Sequence, residues 1–254
     1  MYPDKKYMEG TDAKDLNFAP LSSEILNQLY NPTKNINFFT PVIMKEPFFS
    51  DDNLSRNTSS QSYIRFFHAA HSKNSIDIYI NSQLIKKNIN YTSMTSYICI
   101  PSGTYTIKLY KSGTHQNPIL ISNTKICNNN HYTFAIIENS SKISILMLKT
   151  KNKDTTSYKG IHVRFSNLVP SSPLLNVTID SEQQLFNEIE YGETTSYVDL
   201  SPGIYSFEVF PKDYSLKKLI APNVSLASGA YHTIFAIGRA DLSGSHQLLI
   251  FRDI

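Results

Sequence analysis

The sequence predicts an all-β fold: two tandem β-sandwiches of one plan, preceded by a largely irregular N-terminal arm. Three observations carry this. Tyr91 to Tyr105 (YTSMTSYICIPSGTY) returns as Tyr191 to Tyr205 (YGETTSYVDLSPGIY), with Tyr91, Thr95, Ser96, Tyr97, Gly103 and Tyr105 each recurring one hundred positions later. A period that long exceeds a solenoid unit and suits a small β domain. Short alternating segments, bounded by turn residues, follow one another roughly every ten positions on both sides of the repeat. The chain of 254 residues holds 16 Tyr and 14 Phe and is rich in Ile and Thr, residues that favour pleated, half-buried surfaces.

Residues 1–60 form the arm. They are polar and broken by Pro3, Pro20, Pro32, Pro41 and Pro47. Leu21 to Leu29 has the pattern of a short helix, with Ser22 or Ser23 as N-cap and Ile25, Leu26 and Leu29 as its apolar stripe. Asn37-Phe38-Phe39 and Pro47-Phe48-Phe49 are apolar islands. Paired phenylalanines suit an arm that docks on a domain or a neighbouring subunit; the alternative is plain disorder. Asp51 to Ser60 reads as linker.

Residues 61–150 form the first sandwich. Strands are expected over Tyr63–His68, Ser75–Ile80, a short Leu84-Ile85, Tyr97–Ile100, Thr104–Tyr110, Pro118–Ile126, Tyr132–Ile137 and Ile143–Leu148. Residues 151–159 are a short polar linker, so the sandwiches are expected end to end as rods with limited swing. Residues 160–254 then repeat the plan. Val163-Arg164-Phe165 matches Ile64-Arg65-Phe66, and Val177-Thr178-Ile179 matches Ile78-Tyr79-Ile80. After one inserted residue near Gln183-Gln184, Thr233 and Ile237 match Thr133 and Ile137.

The repeat also assigns faces. Ile98 and Ile100 match Val198 and Leu200 and should point to the core. Tyr97 and Cys99 match Tyr197 and Asp199 and should point outward, because an unpaired Asp is costly to bury. Pro101-Ser102-Gly103 and Ser201-Pro202-Gly203 read as turns, with proline presetting φ and glycine accepting a positive φ.

The formal net charge is +3, with Lys and Arg scattered, too weak a signal for a nucleic-acid partner. No segment approaches the roughly 18 apolar residues of a membrane span. No apolar stretch follows Met1 to Lys6, so no standard secretory signal is expected. Cys99 and Cys127 lie in the first copy, opposite Asp199 and Ala227. Two readings stand for them: free thiols, or a disulfide in an oxidising compartment.

On these residues the chain resembles the bacterial family called domain of unknown function 4397. The first copy supplies Arg65-Phe66-Phe67-His68-Ala69, Asp77-Ile78-Tyr79-Ile80, Tyr91, Tyr97, Pro101-Ser102-Gly103-Thr104-Tyr105 and Tyr132-Thr133; the second departs at Asn167 and Asn176. The resemblance implies extracytoplasmic, often tandem domains of immunoglobulin- or transthyretin-like form, with no established enzymatic activity, and it supports fold more than function.

His68, His71 and Asp77 are the one suggestive cluster for a metal. Asn167, Pro170 and Asn176 replace them in the second copy. Replacing His and Asp by Asn keeps hydrogen bonding and discards metal affinity. His68, Asp77, Asn167 and Asn176 are therefore expected to make structural hydrogen bonds tying a loop to a strand, with no metal and no cofactor. Arg65 and Arg164, each between apolar residues, should pair with a carboxylate or lie along an outer face. No nucleophile set is recognisable near Ser102 or Ser201, and no enzyme is expected. Outward tyrosines, Tyr97, Tyr197 and Tyr79, can stack on sugars or anchor an interface; cross-strand packing is the plainer reading.

Together these predict a non-enzymatic structural or interaction protein of a bacterial spore surface or cell envelope. It would assemble with other surface or coat proteins, or itself, through its arm and exposed strands. A carbohydrate- or peptidoglycan-binding module using the exposed tyrosines is the alternative, and a metal-dependent enzyme a remote third. A spore surface reconciles an extracytoplasmic family with no visible signal, since coat proteins assemble without secretion.

Overall fold

The computed structural model describes residues 61–73, 75–150, 160–181, 183–213, 218–226, 228–240, 242 and 245–253. The arm with its Leu21–Leu29 helix, and the 151–159 linker, lie outside them.

Every described element is a strand. The first copy has β1 (Gln61–His68), β2 (Ser75–Ile80), β3 (Gln83–Asn90), β4 (Ile98–Pro101), β5 (Gly103–Lys111), β6 (Leu120–Ile126), β7 (His131–Asn139) and β8 (Lys142–Thr150). The second has β9 (Ile161–Asn167), β10 (Leu175–Ile179), β11 (Gln183–Ile189), β12 (Val198–Leu200), β13 (Gly203–Pro211), β14 (Leu219–Leu226), β15 (Tyr231–Ile237) and β16 (Gln247–Arg252). Each copy makes two four-stranded sheets. The orders are β4-β1-β7-β8 and β3-β2-β5-β6, then β12-β9-β15-β16 and β11-β10-β13-β14. The first and seventh strands of each copy run parallel, Phe66 opposite Phe134 and Phe165 opposite Ile234, inside otherwise antiparallel sheets.

Period-two alternation seals each core. In the first copy Ile64 and Phe66 of β1 and Phe134 and Ile136 of β7 meet Ile76, Ile78 and Ile80 of β2 and Ile107 and Leu109 of β5. Val163, Phe165, Ile234 and Ala236 meet Val177, Ile179, Phe207 and Val209 in the second. Ile100 and Leu200 are buried, and the Asp199 side chain is 60% exposed.

The third strand is longer than Leu84-Ile85. Its polar Lys86-Lys87-Asn88 hides the pattern, because only Ile85 and Ile89 of β3 are buried. Register irregularities opposite Ile78 and Val177 put bulges in β3 and β11, and Asn88 and Glu188 take positive φ there. Gly103 and Gly203 also differ from expectation: neither has a positive φ. Each opens a strand beneath a tyrosine ring, and a Cβ on Gly203 would stand 3.3 Å from Tyr205. The Tyr105 and Tyr205 hydroxyls donate back to the carbonyls of Pro101 (2.8 Å) and Ser201 (2.7 Å), which closes the corner.

The sandwiches do not lie end to end. A third apolar cluster joins them: Phe67, Ala69, Ala135, Ile137 and Leu148 of the first copy pack on Leu168, Phe235, Ile237 and Phe251 of the second. These side chains point away from their own cores. The β1/β7 sheet therefore packs its outer face on that of the β9/β15 sheet, and the molecule is a stack of four sheet layers. Burying two such faces outweighs the freedom of separate rods.

Candidate functional site

The polar centre of the molecule lies in this seam. Arg65 projects from β1 and Arg164 from β9, each away from its own core, and they are 1% and 4% exposed. Arg65 donates from Nε to Thr133 Oγ1 (2.9 Å), from one terminal nitrogen to the Arg252 carbonyl (2.8 Å) and from the other to Asp253 Oδ1 (2.6 Å). Arg164 makes the reciprocal set: Nε to Thr233 Oγ1 (2.8 Å), then the Lys149 carbonyl (2.9 Å) and Thr150 Oγ1 (3.1 Å). Each copy's arginine thus clasps the end of the other copy's last strand. The exchange is two-fold in form but not in charge. Asp253 stands where the first copy has Thr150, and two buried guanidinium groups face this one carboxylate, the Arg164 contact being 3.6 Å.

Tyr97 and Tyr197 belong to this cluster, which corrects their reading as exposed binding tyrosines. Alternation does turn them away from their own cores, but that face meets the other sandwich. The guanidinium carbons of Arg65 and Arg164 lie 4.6 Å from the Tyr97 and Tyr197 ring centres, a favourable arrangement for a buried cation. The Tyr197 hydroxyl donates to Asp253 Oδ2 (2.6 Å), as does the Thr233 hydroxyl (2.6 Å). Burial pushes the Tyr97 hydroxyl up to about 12 and the Tyr197 hydroxyl higher still, so both stay protonated. Tyr191 donates across the seam to the Glu138 carbonyl (2.8 Å). Thr95 and Thr195 accept from the Phe66 and Phe165 N–H (2.9 and 3.0 Å). The side chains that made the repeat visible thus build corners, ladders and the seam.

His68 and Asp77 are not bonded to each other. His68 Nδ1 accepts from the Ala70 N–H (3.3 Å), and Asn167 Oδ1 accepts from Val169 (3.1 Å) in the matching place. Asp77 Oδ1 accepts from Asn88 N–H (2.7 Å) and Asn176 Oδ1 from Glu188 N–H (2.9 Å). Both thus satisfy the donor that the bulge removes from the ladder. Asp77 further accepts from the Ser112 hydroxyl and the Gly113 N–H. Burial alone would raise its pKa, but these donors and Lys87 together hold it below the ordinary carboxylate value. Among the described residues no three His, Cys, Asp or Glu side chains gather as a metal site. Cys99 and Cys127 are free thiols. Cys99 sits on β4, and Cys127 follows β6.

Tyr79 lies elsewhere, on the outer face of the first copy. Leu84, Tyr79, Lys108 and Ile121 stand opposite one another across β3, β2, β5 and β6. Tyr79 packs edge-on to Tyr110 (5.2 Å between ring centres), and its hydroxyl meets His115 Nδ1 at 2.7 Å. Leu84 and Ile121 are exposed. The second copy puts Gln184, Thr178, Glu208 and Ile220 in the same row, and Glu208 pairs there with Lys218 (2.5 Å). The aromatic platform thus belongs to the first copy alone. Alternation with Ile107 and Leu109 is the signal by which Tyr110 was legible as outward. Asp253 carried no such signal, since its counterpart is a threonine.

A family model described as "Domain of unknown function (DUF4397)" matches residues 62–160 and again 161–254. No curated protein matches the chain. Among solved structures, the Bacillus anthracis TIE protein is similar over 77% of this chain and 31% of its own, at 10% identity and a TM-score of 0.23. The chain thus spans about a third of that protein's length. The CBMbc module (family CBM26) of Eubacterium rectale Amy13K, solved in complex with maltoheptaose, is similar over 76% of this chain and 97% of its own. Its identity is 11% and its TM-score 0.22. Scores this low carry no argument about function.

Proposed function

The chain belongs to the DUF4397 family in two tandem copies, and from that premise we propose that it is a non-enzymatic structural and interaction protein of a bacterial spore surface or cell envelope. One observation carries the reading. Arg65 and Arg164, Thr133 and Thr233, and Tyr97 and Tyr197 recur in both copies and meet in the seam, where they join the sandwiches into one body. Buried, hydrogen-bonded side chains of this kind hold geometry and do not turn over substrate. The outer sheets and the arm are then the parts left to meet other surface or coat proteins, or other copies of this chain. Size-exclusion chromatography of the full chain and of a chain lacking residues 1–60 tests the assembly. Larger species should form with the arm and be lost without it; monomers in both cases at high concentration would sink arm-driven assembly. Fluorescent tagging in sporulating and growing cells tests the location, and signal confined to the growing cell's cytosol would contradict it.

A second reading rests on the first copy's outer face. The half-buried Tyr79 and Tyr110 and the exposed His115 form an aromatic step beside Lys108, the kind of surface on which a sugar ring stacks. Glycan-array binding lost in both Tyr79→Ala and Tyr110→Ala, and kept in Tyr97→Ala, would favour a carbohydrate- or peptidoglycan-binding module. An array blank for the full chain would remove that reading.

A further inference from the structure

One flank of the second sandwich is open. β14 and β16 are each the last strand of their sheet, so each has one edge with no strand beside it; the Arg252 carbonyl at the end of β16 is taken by Arg65 and the Asn223 N–H of β14 by Ser206. Between them, and under residues 92–94 of the first copy, runs a groove of about 440 Å³. Met94, Val224, Leu249 and Phe251 form the apolar part of its lining, beside the uncharged polar Thr92, Ser93 and Asn223. His232 also lines it; the side chain is 6% exposed, and its Nδ1 is buried with no hydrogen-bond partner. Burial lowers its pKa to about 4, so the ring is neutral and can accept or donate one hydrogen bond there.

The first copy differs at each of these points. Tyr132 stands where the second copy has His232, and its hydroxyl accepts from Cys127 N–H (3.2 Å). Thr124 reaches Met147 Sδ (3.6 Å) from β6 to β8. Val224 and Ile250 occupy the corresponding positions in the second copy and have no such bond to make.

We propose that this groove is the seat of the segment 35–44 of the N-terminal arm, Asn35-Ile36-Asn37-Phe38-Phe39-Thr40-Pro41-Val42-Ile43-Met44, taken up as an added strand. The segment is an uncharged run between Lys34 and Lys45 that mixes Ile, Phe, Val and Met with Asn and Thr, which suits a lining of apolar and polar side chains. Its Ile, Phe, Thr and Val favour extended backbone, and a proline is tolerated where a strand has one free edge. Its backbone would pair with an open strand, and alternate side chains would fill the groove. Reach is ample. The residues from Met44 to Gln61 span up to about 55 Å extended, against about 20 Å along β1 from Gln61 to Phe67, and Phe67 bridges Met94 of the groove.

This goes beyond the assembly reading, since the seat can be filled by the same chain or by a neighbour. Photo-cross-linking of the full chain tests it, with benzoylphenylalanine in place of Val224 and, separately, of the exposed Ser225. The expected adduct in both maps by mass spectrometry to residues 35–44. An adduct of one chain's mass or of two supports the seat equally, while the two masses separate self-docking from assembly. Adducts only to other segments, or none from either position, overturn the seat and leave assembly to chromatography. Hydrogen exchange gives a second readout on the full chain. Phe38→Asp with Phe39→Asp should speed exchange of the β14 or β16 edge amides at least tenfold, and unchanged exchange overturns the proposal.

Discussion

Asp253 faces two guanidinium groups, so its charge matters more than that of any surface carboxylate. Asp253→Asn keeps the shape and leaves two buried cations uncompensated; it should destabilise the fold by about 3–5 kcal/mol in urea denaturation. Thr150→Asp places an acid at the reciprocal position, beside Arg164. Added to Asp253→Asn, it should recover part of that loss, and a double-mutant cycle reads the coupling. His232 gives a pH dependence. Its folded pKa, lowered to about 4 by burial, lies below its unfolded value near 6.5. The unfolded chain therefore binds the proton first, and stability is full above about pH 6.5 and declines as pH falls toward 4. His232→Gln should flatten that decline, which amounts to about 3 kcal/mol at most; an unchanged stability–pH profile would contradict it. The residue-level reading of the sequence succeeded where a side chain's own sheet decides its direction, as for Leu200 and Asp199. For Tyr97 it gave the direction and missed what lies there.

The paired bulges of β3 and β11 explain why one position tolerates both Asp and Asn. Only an acceptor is required, to receive the N–H of Asn88 or Glu188. Asp77→Asn should therefore cost little. Asp77→Ala strands the N–H of Asn88 and Gly113 and should cost about 1–3 kcal/mol, measured by urea unfolding. Asn176→Ala should cost less, since Asn176 lacks the Ser112 and Gly113 contacts. Strands with clean alternation, such as β5 and β13, were legible nearly to their ends. β3 was not, because a bulge breaks the period and its edge position leaves most side chains in water. Pro101-Ser102-Gly103 was legible as a corner, but Gly103 takes no left-handed φ there, and a Cβ on it would meet the Tyr105 ring in ordinary contact at 3.6 Å.

At the scale of the whole molecule, the seam should make two domains unfold as one. Calorimetry of the full chain should show one transition whose van't Hoff and calorimetric enthalpies agree. Phe67 and Phe235 meet at 4.8 Å in the middle of the seam. Phe235→Ala should cost about 3–5 kcal/mol and split the transition in two; two transitions already in the unaltered chain would disprove the coupling. The repeat made the two sandwiches legible, but nothing in a strand's period tells whether its second face meets water or another sheet. The stacking has a geometric consequence. With layers about 10 Å apart, the first copy's aromatic face and the second copy's charged face look in opposite directions from planes about 30 Å apart. A molecule so built can hold two unlike neighbours at a fixed separation, as a spacer does in a wall.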